Sequence, residues 1–253
     1  MYRFFVPYYQ INATEGYIEG DDVNHIRNVL RMKPGEQVVL SDGRGYDYVC
    51  QLGEFLPGRI LCSVLEKREA VSELPVKITL FQALPKKDKM EFIIQKAVEL
   101  GASRIVPVQT KRCVAKLSDK KKAEKKRARW QAIAESAAKQ SGRGYIPEVS
   151  ETISFSEACS ESASLDFVMV PYELCETMQG SFEAVKKAAA SKNVGIFIGP
   201  EGGFERGEVE NLIANGAVEI SLGKRILRTE TAGLTVLSVL MFLIEASVLN
   251  DCQ

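Results

Sequence analysis

Four glycines and a proline lie within "IFIGPEGGFERGEVE", Ile196–Glu210, after a short apolar run. Glycine-rich turns between a strand and a helix are places where backbone closely approaches a ligand. The glycines stand at 199, 202, 203 and 207, so the G-x-G-x-x-G spacing of a dinucleotide loop fails. Gly202 and Gly207 have the spacing of a P-loop, but Glu208 and Val209 stand where Lys and Ser/Thr are needed. Residues 201–210 hold four glutamates against Arg206 alone, and that charge opposes a polyphosphate. The loop suits close approach to something neutral or cationic. A tight turn without a ligand accounts equally well for the glycines taken alone.

A second segment, "SLGKRILRTETAG", repeats the design of strand, glycine and helix start. Gly223 ends the strand, Thr229 or Thr231 is placed to cap the helix, and Lys224, Arg225 and Arg228 lie in the turn. In open α/β sheets ligands gather beyond the carboxyl ends of strands, so two such turns after neighbouring strands face one crevice. The basic residues otherwise are solvated or pair with acids. A third feature is the run 111–129, with ten Lys/Arg and two acids. Alone it reads as a solvated helix face. With Lys86, Lys87, Lys89 and Arg143 it reads as a nucleic-acid footprint that contacts phosphates and carries little sequence information. Glu135, Gln140, Ser141 and Arg143 cluster at a helix end that Ser-Gly also simply terminates, and His25, the single histidine, has no partner cluster.

The elements that carry these residues follow from pattern. Residues 1–70 read as strands ("RFFVP", "QVVLSDG", "YDYVCQL", "RILCSVLEK") with one helix, "DDVNHIRNVLRM", capped by Asp21 or Asp22. This predicts a small β-barrel. After "KREAVSELP" strands alternate with helices, the mark of an α/β domain. The strands are "VKITLFQAL", "RIVPVQT", "DFVMVP", "VGIFIG" and "VEISLG". Helices are expected at "DKMEFIIQKAVELG", 119–141, 175–190, 206–214 and 230–249. The 253 residues suffice for a sizeable core. Net charge is zero, yet residues 1–150 carry 26 basic and 18 acidic side chains and residues 151–253 carry 7 and 15, so the first part is the one expected to meet an anionic partner. Six scattered cysteines without a C-x-x-C pair predict neither a disulfide framework nor a zinc site, and one histidine excludes a His-rich metal centre. No signal-peptide pattern opens the chain, and "AGLTVLSVLMFLIEA", broken by Thr235 and Ser238, reads as too short to span a bilayer. A cytoplasmic protein with no membrane partner is expected.

Seven motifs, in order, resemble the RsmE family of SPOUT-class RNA methyltransferases, which methylate N3 of one uridine in bacterial 16S ribosomal RNA. They are "RFFV" (3–6), "HIRNVLR" (25–31), "KMEFIIQKAVELG" (89–101), "KRCV" (111–114), "RWQAIAESAAKQSGR" (129–143), "IGPEGGF" (198–204) and "LGKRILRTETA" (222–232). The resemblance implies a PUA-like RNA-binding β-barrel over 1–72 and, over 73–253, an α/β trefoil-knotted methyltransferase domain with a parallel sheet flanked by helices. It also implies a homodimer acting on 16S rRNA, within the small ribosomal subunit. S-adenosylmethionine would be held by three loops: Pro171, Tyr172 and Glu173; then Ile198, Gly199, Pro200, Glu201, Gly202 and Gly203; then Leu222, Gly223, Ile226, Leu227 and Arg228. Backbone amides or Arg228 would stabilise charge developing on the uracil oxygens, and a carboxylate such as Glu230 would take its proton. RNA contacts would come from Arg3, His25, Arg31, Lys86, Lys87, Arg112 and Arg143. Lys87 stands where many members have glycine. A SPOUT enzyme for another rRNA or tRNA nucleotide, or a non-catalytic ribosome-assembly factor with a relic pocket, shares most of these features.

Overall fold

A computed structural model describes residues 1–114, 119–175 and 177–251; Lys116 of the basic run and Cys252 lie outside the described residues. The chain divides into two compact units, Met1–Glu73 with Ala138–Ile146, and Leu74–Ala137 with Pro147–Gln253.

In the first unit, strands β1 (Tyr2–Phe5), β2 (Glu15–Glu19), β3 (Gln37–Ser41), β4 (Tyr46–Leu56) and β5 (Arg59–Glu69) form one sheet in the order β1-β3-β4-β5-β2. The β1–β3 pair is parallel and the other pairs are antiparallel. The alternation in β5, with Ile60 and Cys62 buried between exposed Arg59, Leu61 and Ser63, puts one face of the sheet into the core. Register shifts after Val49 and Leu52 bend the long β4–β5 ribbon and curl the sheet into a half-barrel. Phe4, Ile18, Val38, Leu40, Leu52 and Ile60 pack beneath it with Ile26 of the helical segment. That segment is helix α1 (Asp21–Asn24) running into a π-helical stretch, His25–Val29. Its N-cap is Gly20 at φ 75°, not an aspartate; Asp21 and Asp22 fall in the first turn, where they complement the helix dipole.

The second unit runs β6 (Lys77–Ala83), α2 (Lys89–Glu99), β7 (Arg104–Gln109), α3 (Lys120–Ser141), β8 (Glu148–Val149), β9 (Ile153–Ser154), α4 (Phe155–Ser162), β10 (Phe167–Pro171), α5 (Met178–Ala189), β11 (Asn193–Ile198), α6 (Arg206–Ala214), β12 (Val218–Ile220) and α7 (Thr229–Asp251). Its sheet order is β12-β10-β11-β6-β7-β8, with β9 also on β7, and every pair is parallel. Strands covered on both faces read as continuous apolar runs: Val194, Ile196, Phe197 and Ile198 of β11 are all buried, and Phe197 stacks on Phe81 of β6 at 4.4 Å.

Helix α7 holds the stretch read as too short for a bilayer, and that expectation is corrected. Over 229–247 the helix is long and apolar enough, by length and composition, to cross one. Only about a third of that stretch is buried within the chain. Val236, Leu237, Leu240 and Ile244 form a buried stripe against the unit, while Val239 and Phe242 on the other side remain exposed.

Candidate active site

Strands β12, β10 and β11 are adjacent, so the segments leaving their carboxyl ends converge. The two glycine turns follow β11 and β12, and β10 lies between those strands, so the turn Pro171–Glu173 stands in the middle. Two adjoining cavities, of about 370 and 360 Å³, lie along these three segments. One is bounded chiefly by 171–173 and 221–227, the other by 198–204 and 226–229, and both are lined by Pro171, Glu173, Ile226, Leu227 and Ala232. Such volumes suit a small organic molecule. All the residues expected at the cofactor thus line one or the other of two cavities that share five lining residues.

Local bonds fix the walls. Gly203 donates its N–H to Pro200 O at 2.9 Å, closing a tight turn with Gly203 at φ 67°. A side chain there would be strained, and its Cβ would lie 3.3 Å from the Glu173 carboxylate, so the first and second segments touch at this glycine. Gly223, at φ 101°, has open space where a Cβ would stand. The Thr229 hydroxyl does not cap α7 in the expected way. It donates to Gly199 O at 2.6 Å and accepts from Gln82 Nε2 at 3.0 Å, tying α7 to the second segment and to β6. Thr229 is buried, so Thr229→Val strands two polar groups; we expect a loss of about 2 kcal/mol by denaturant titration.

The glutamates of "PEGGFERGEVE" divide into separate roles. Glu205 and Glu208 form the capping box of α6, and buried Glu208 also accepts from Lys111 N at 3.0 Å. Glu210 pairs with Arg206. Glu201 accepts from Lys86 N at 3.0 Å and pairs with Lys89 Nζ at 3.2 Å. Lys89 also reaches Glu230 at 3.1 Å, so one ammonium bridges the second segment and the first turn of α7. The Glu230 hydrogen bond is the main reason that Lys89 is held above the ordinary lysine value, against the opposing effect of burial and with support from Glu201. Burial pushes Glu201 and Glu230 up, but backbone N–H donors and Lys89 outweigh it and hold both carboxyls below their ordinary value. Lys89 is expected from sequence only in a basic footprint; no local pattern shows two acids converging on it. Arg228 is exposed at the rim, and no hydrogen bond or ion pair engages its guanidinium among the described residues.

The expected RNA contacts differ from one another. His25 and Arg31 are exposed on the first unit, with His25 edge-on to Phe4. Arg3 pairs with buried Asp47 at 2.8 Å. Arg143 is 4% exposed and pairs with Glu73 at 2.6 Å, so its guanidinium serves the interior of the first unit and is not presented to RNA phosphates. On the second unit Lys86 and Lys87 are exposed, and Arg112 donates to Gly202 O at 2.8 Å, bracing the second segment from outside. Lys87 adopts φ 58°, a conformation that favours glycine, which gives its difference from the family pattern a physical meaning. Relief of that strain exceeds the chain entropy glycine adds, so Lys87→Gly is expected to raise the Tm by about 1–3 °C in a thermal scan.

Residues 72–241 match the model of an RNA methyltransferase domain, and residues 18–54 match that of an RNA methyltransferase PUA domain. The chain is 39% identical to ribosomal RNA small subunit methyltransferase E of Bacillus subtilis, with 96% of each chain covered. It is 33% identical to the protein of the same name from Mycobacterium bovis, over 99% of this chain and 95% of that one. Among solved structures it superposes on ribosomal RNA small subunit methyltransferase E from Neisseria gonorrhoeae, bound to S-adenosylmethionine, with a TM-score of 0.80 and 33% identity over 96% of this chain and 98% of that one. With loops, fold and both matched domains in agreement along nearly the whole length, the chain belongs to the ribosomal RNA small subunit methyltransferase E family.

Proposed function

We propose that this protein transfers a methyl group from S-adenosylmethionine to N3 of a uridine in 16S ribosomal RNA of the small subunit. The observation that carries this reading is the pair of cavities lined by Pro171–Glu173, Ile198–Gly203 and Leu222–Arg228, together with a relative of the same fold that binds S-adenosylmethionine. The donor set fits a cation with no phosphate. Glycine turns expose backbone N–H and C=O groups to an adenosine, and Glu173, which lines both cavities, supplies a carboxylate for a positive centre. When bound, S-adenosylmethionine supplies an electrophilic methyl group on a sulfonium.

The chain's own groups then act separately. We assign Arg228 to the uracil oxygens, where negative charge develops as N3 loses its proton. We assign Glu230 to that proton; Lys89 keeps its carboxylate ionised at neutral pH but lowers its basicity, so orientation supplies much of the acceleration. His25, Arg31, Lys86, Lys87 and Arg112 are assigned to RNA phosphates, with Arg3 and Arg143 organising the first unit. We further assign RNA binding to 1–72 and a trefoil-knotted catalytic domain to 73–253, in a cytoplasmic homodimer. The apolar surface made by Met178, Phe182, Val239 and Phe242 beside a cavity of about 420 Å³ is the surface for the second copy. Sedimentation tests it: a dimer is expected, and Phe242→Glu should shift it to monomer, whereas a monomeric wild type contradicts the assignment.

A further inference from the structure

Seven of the chain's eight tyrosines, all except Tyr172, lie in the first unit. Several are not spent on its core: Tyr8 is 53% exposed, Tyr9 68%, Tyr46 39% and Tyr145 38%. They gather around the hairpin that joins β3 to β4. Tyr8 and Tyr9, on a short 3-10 turn, meet edge to face at 5.7 Å. Arg44, at the hairpin tip, lays its guanidinium over the Tyr8 ring at 3.5 Å. Tyr145 bridges the backbone of Arg44, and Tyr46, two residues beyond Arg44, carries the Lys67 ammonium over its ring at 4.1 Å. Arg44 and Lys67 are exposed and form no ion pair among the described residues. The one acid within the hairpin, Asp42, is occupied by the N–H groups of Arg44 and Tyr46.

Aromatic rings kept at the surface, interleaved with unpaired cations, suit one kind of partner. Unstacked bases lie on the rings while the cations meet the phosphates between them. A duplex offers no open base faces, and a protein partner, which would use the same rings, is one outcome of the test. We propose that Tyr8, Tyr9 and Tyr46, with Arg44 and Lys67, form a stacking platform for unpaired nucleotides of the RNA substrate. This rests on the reading that the protein acts on ribosomal RNA. It adds that the first unit grips a single-stranded segment through base faces.

The test uses the full chain with a short oligouridylate, an RNA duplex of equal length, and small ribosomal subunits lacking the methyl mark. Tyr8→Ala and Tyr9→Ala are expected to weaken oligouridylate binding roughly tenfold each without altering the dependence of log affinity on log salt. Tyr8→Phe and Tyr9→Phe, which keep the rings, should bind like wild type. Arg44→Gln should weaken binding and flatten the salt slope by about 0.7, the share of one phosphate contact on a single strand. In methyl transfer, the alanine variants should raise KM for the subunit, leaving kcat and S-adenosylmethionine affinity unchanged. Binding unchanged in the alanine variants, or no preference of the wild type for the single strand, overturns the platform. A raised KM for subunits with unchanged oligouridylate binding also overturns it, since the surface would then meet a ribosomal protein. Wild type that binds through these rings yet transfers no methyl group upholds the platform and fails the functional reading instead.

Discussion

Replacing Lys89 by methionine is expected to weaken S-adenosylmethionine binding by one to two orders of magnitude and to cost about 1–2 kcal/mol of stability. The ammonium lies 3.2 Å from Glu201 and 3.1 Å from Glu230, and the three side chains are 31%, 24% and 17% exposed. Fully buried ion pairs cost several kcal/mol to break; partial solvent access reduces that figure here. Without the cation, two carboxylates face one another across the space it occupied. Their repulsion moves Pro200–Gly203 away from the start of α7, the two walls that enclose one cavity. The pH dependence follows from the same contacts. Glu201 and Glu230 sit below the ordinary carboxylate value, so their stabilisation is complete above that value and is lost as pH falls through their depressed folded values. Lys89 sits above its ordinary value, so its share is complete below that value and is lost only as pH rises through the raised one. Wild-type affinity should therefore be flat through neutral pH and fall at the acid end. In Lys89→Met burial and mutual repulsion push both carboxyls upward, so protonation relieves the repulsion and the variant's affinity should rise, not fall, as pH drops through those raised values. Calorimetric titration across pH checks both, and a variant with wild-type affinity and the same acid limb would contradict this role.

Arg228→Ala is expected to lower methyl transfer at saturating cofactor by about 10²–10³-fold, the usual effect of removing one donor aimed at developing charge. The guanidinium is available for that role. It is exposed at the cavity rim, where it lies close enough to Glu230 to help hold that carboxyl low, but no hydrogen bond or ion pair engages it among the described residues. Neighbouring Glu230 is already held by Lys89, so Arg228 is not needed to neutralise it. Cofactor affinity should change much less than turnover. A single-turnover assay with saturating S-adenosylmethionine measures this, and an unchanged rate would remove Arg228 from the chemistry.

Much of this fold is legible in the sequence because its long strands and helices show their period. "VGIFIG" and "VKITLFQAL" read as strands through apolar runs that a parallel sheet buries on both faces, and α2 reads as a helix from Met90, Ile93, Ile94 and Ala97 on one side. The short elements are not visible. Strands β8 and β9 have two residues each and exist only because β7 offers an edge. Helix α4 does leave a signal: Ser154 and Glu157 form a capping box, and S-x-x-E can be read from sequence alone. In the candidate site the glycine turns are recognisable through local backbone demands. The Lys89 bridge is not, because it joins positions 141 residues apart and depends on the sheet order β10-β11-β6. Arg143 shows the opposite problem: a basic residue beside a Ser-Gly turn looks solvent-facing until Glu73, 70 residues earlier, is folded against it.

Methylation of a uridine at N3 in small-subunit RNA by this site is tested most directly with small subunits from a strain lacking the protein. They are incubated with purified protein and S-adenosylmethionine, and the RNA is then mapped by mass spectrometry. One new N3-methyluridine is predicted, absent before incubation and strongly reduced with Arg228→Ala over the same short incubation. Unmodified RNA, or a methyl group on any other atom or base, would contradict it.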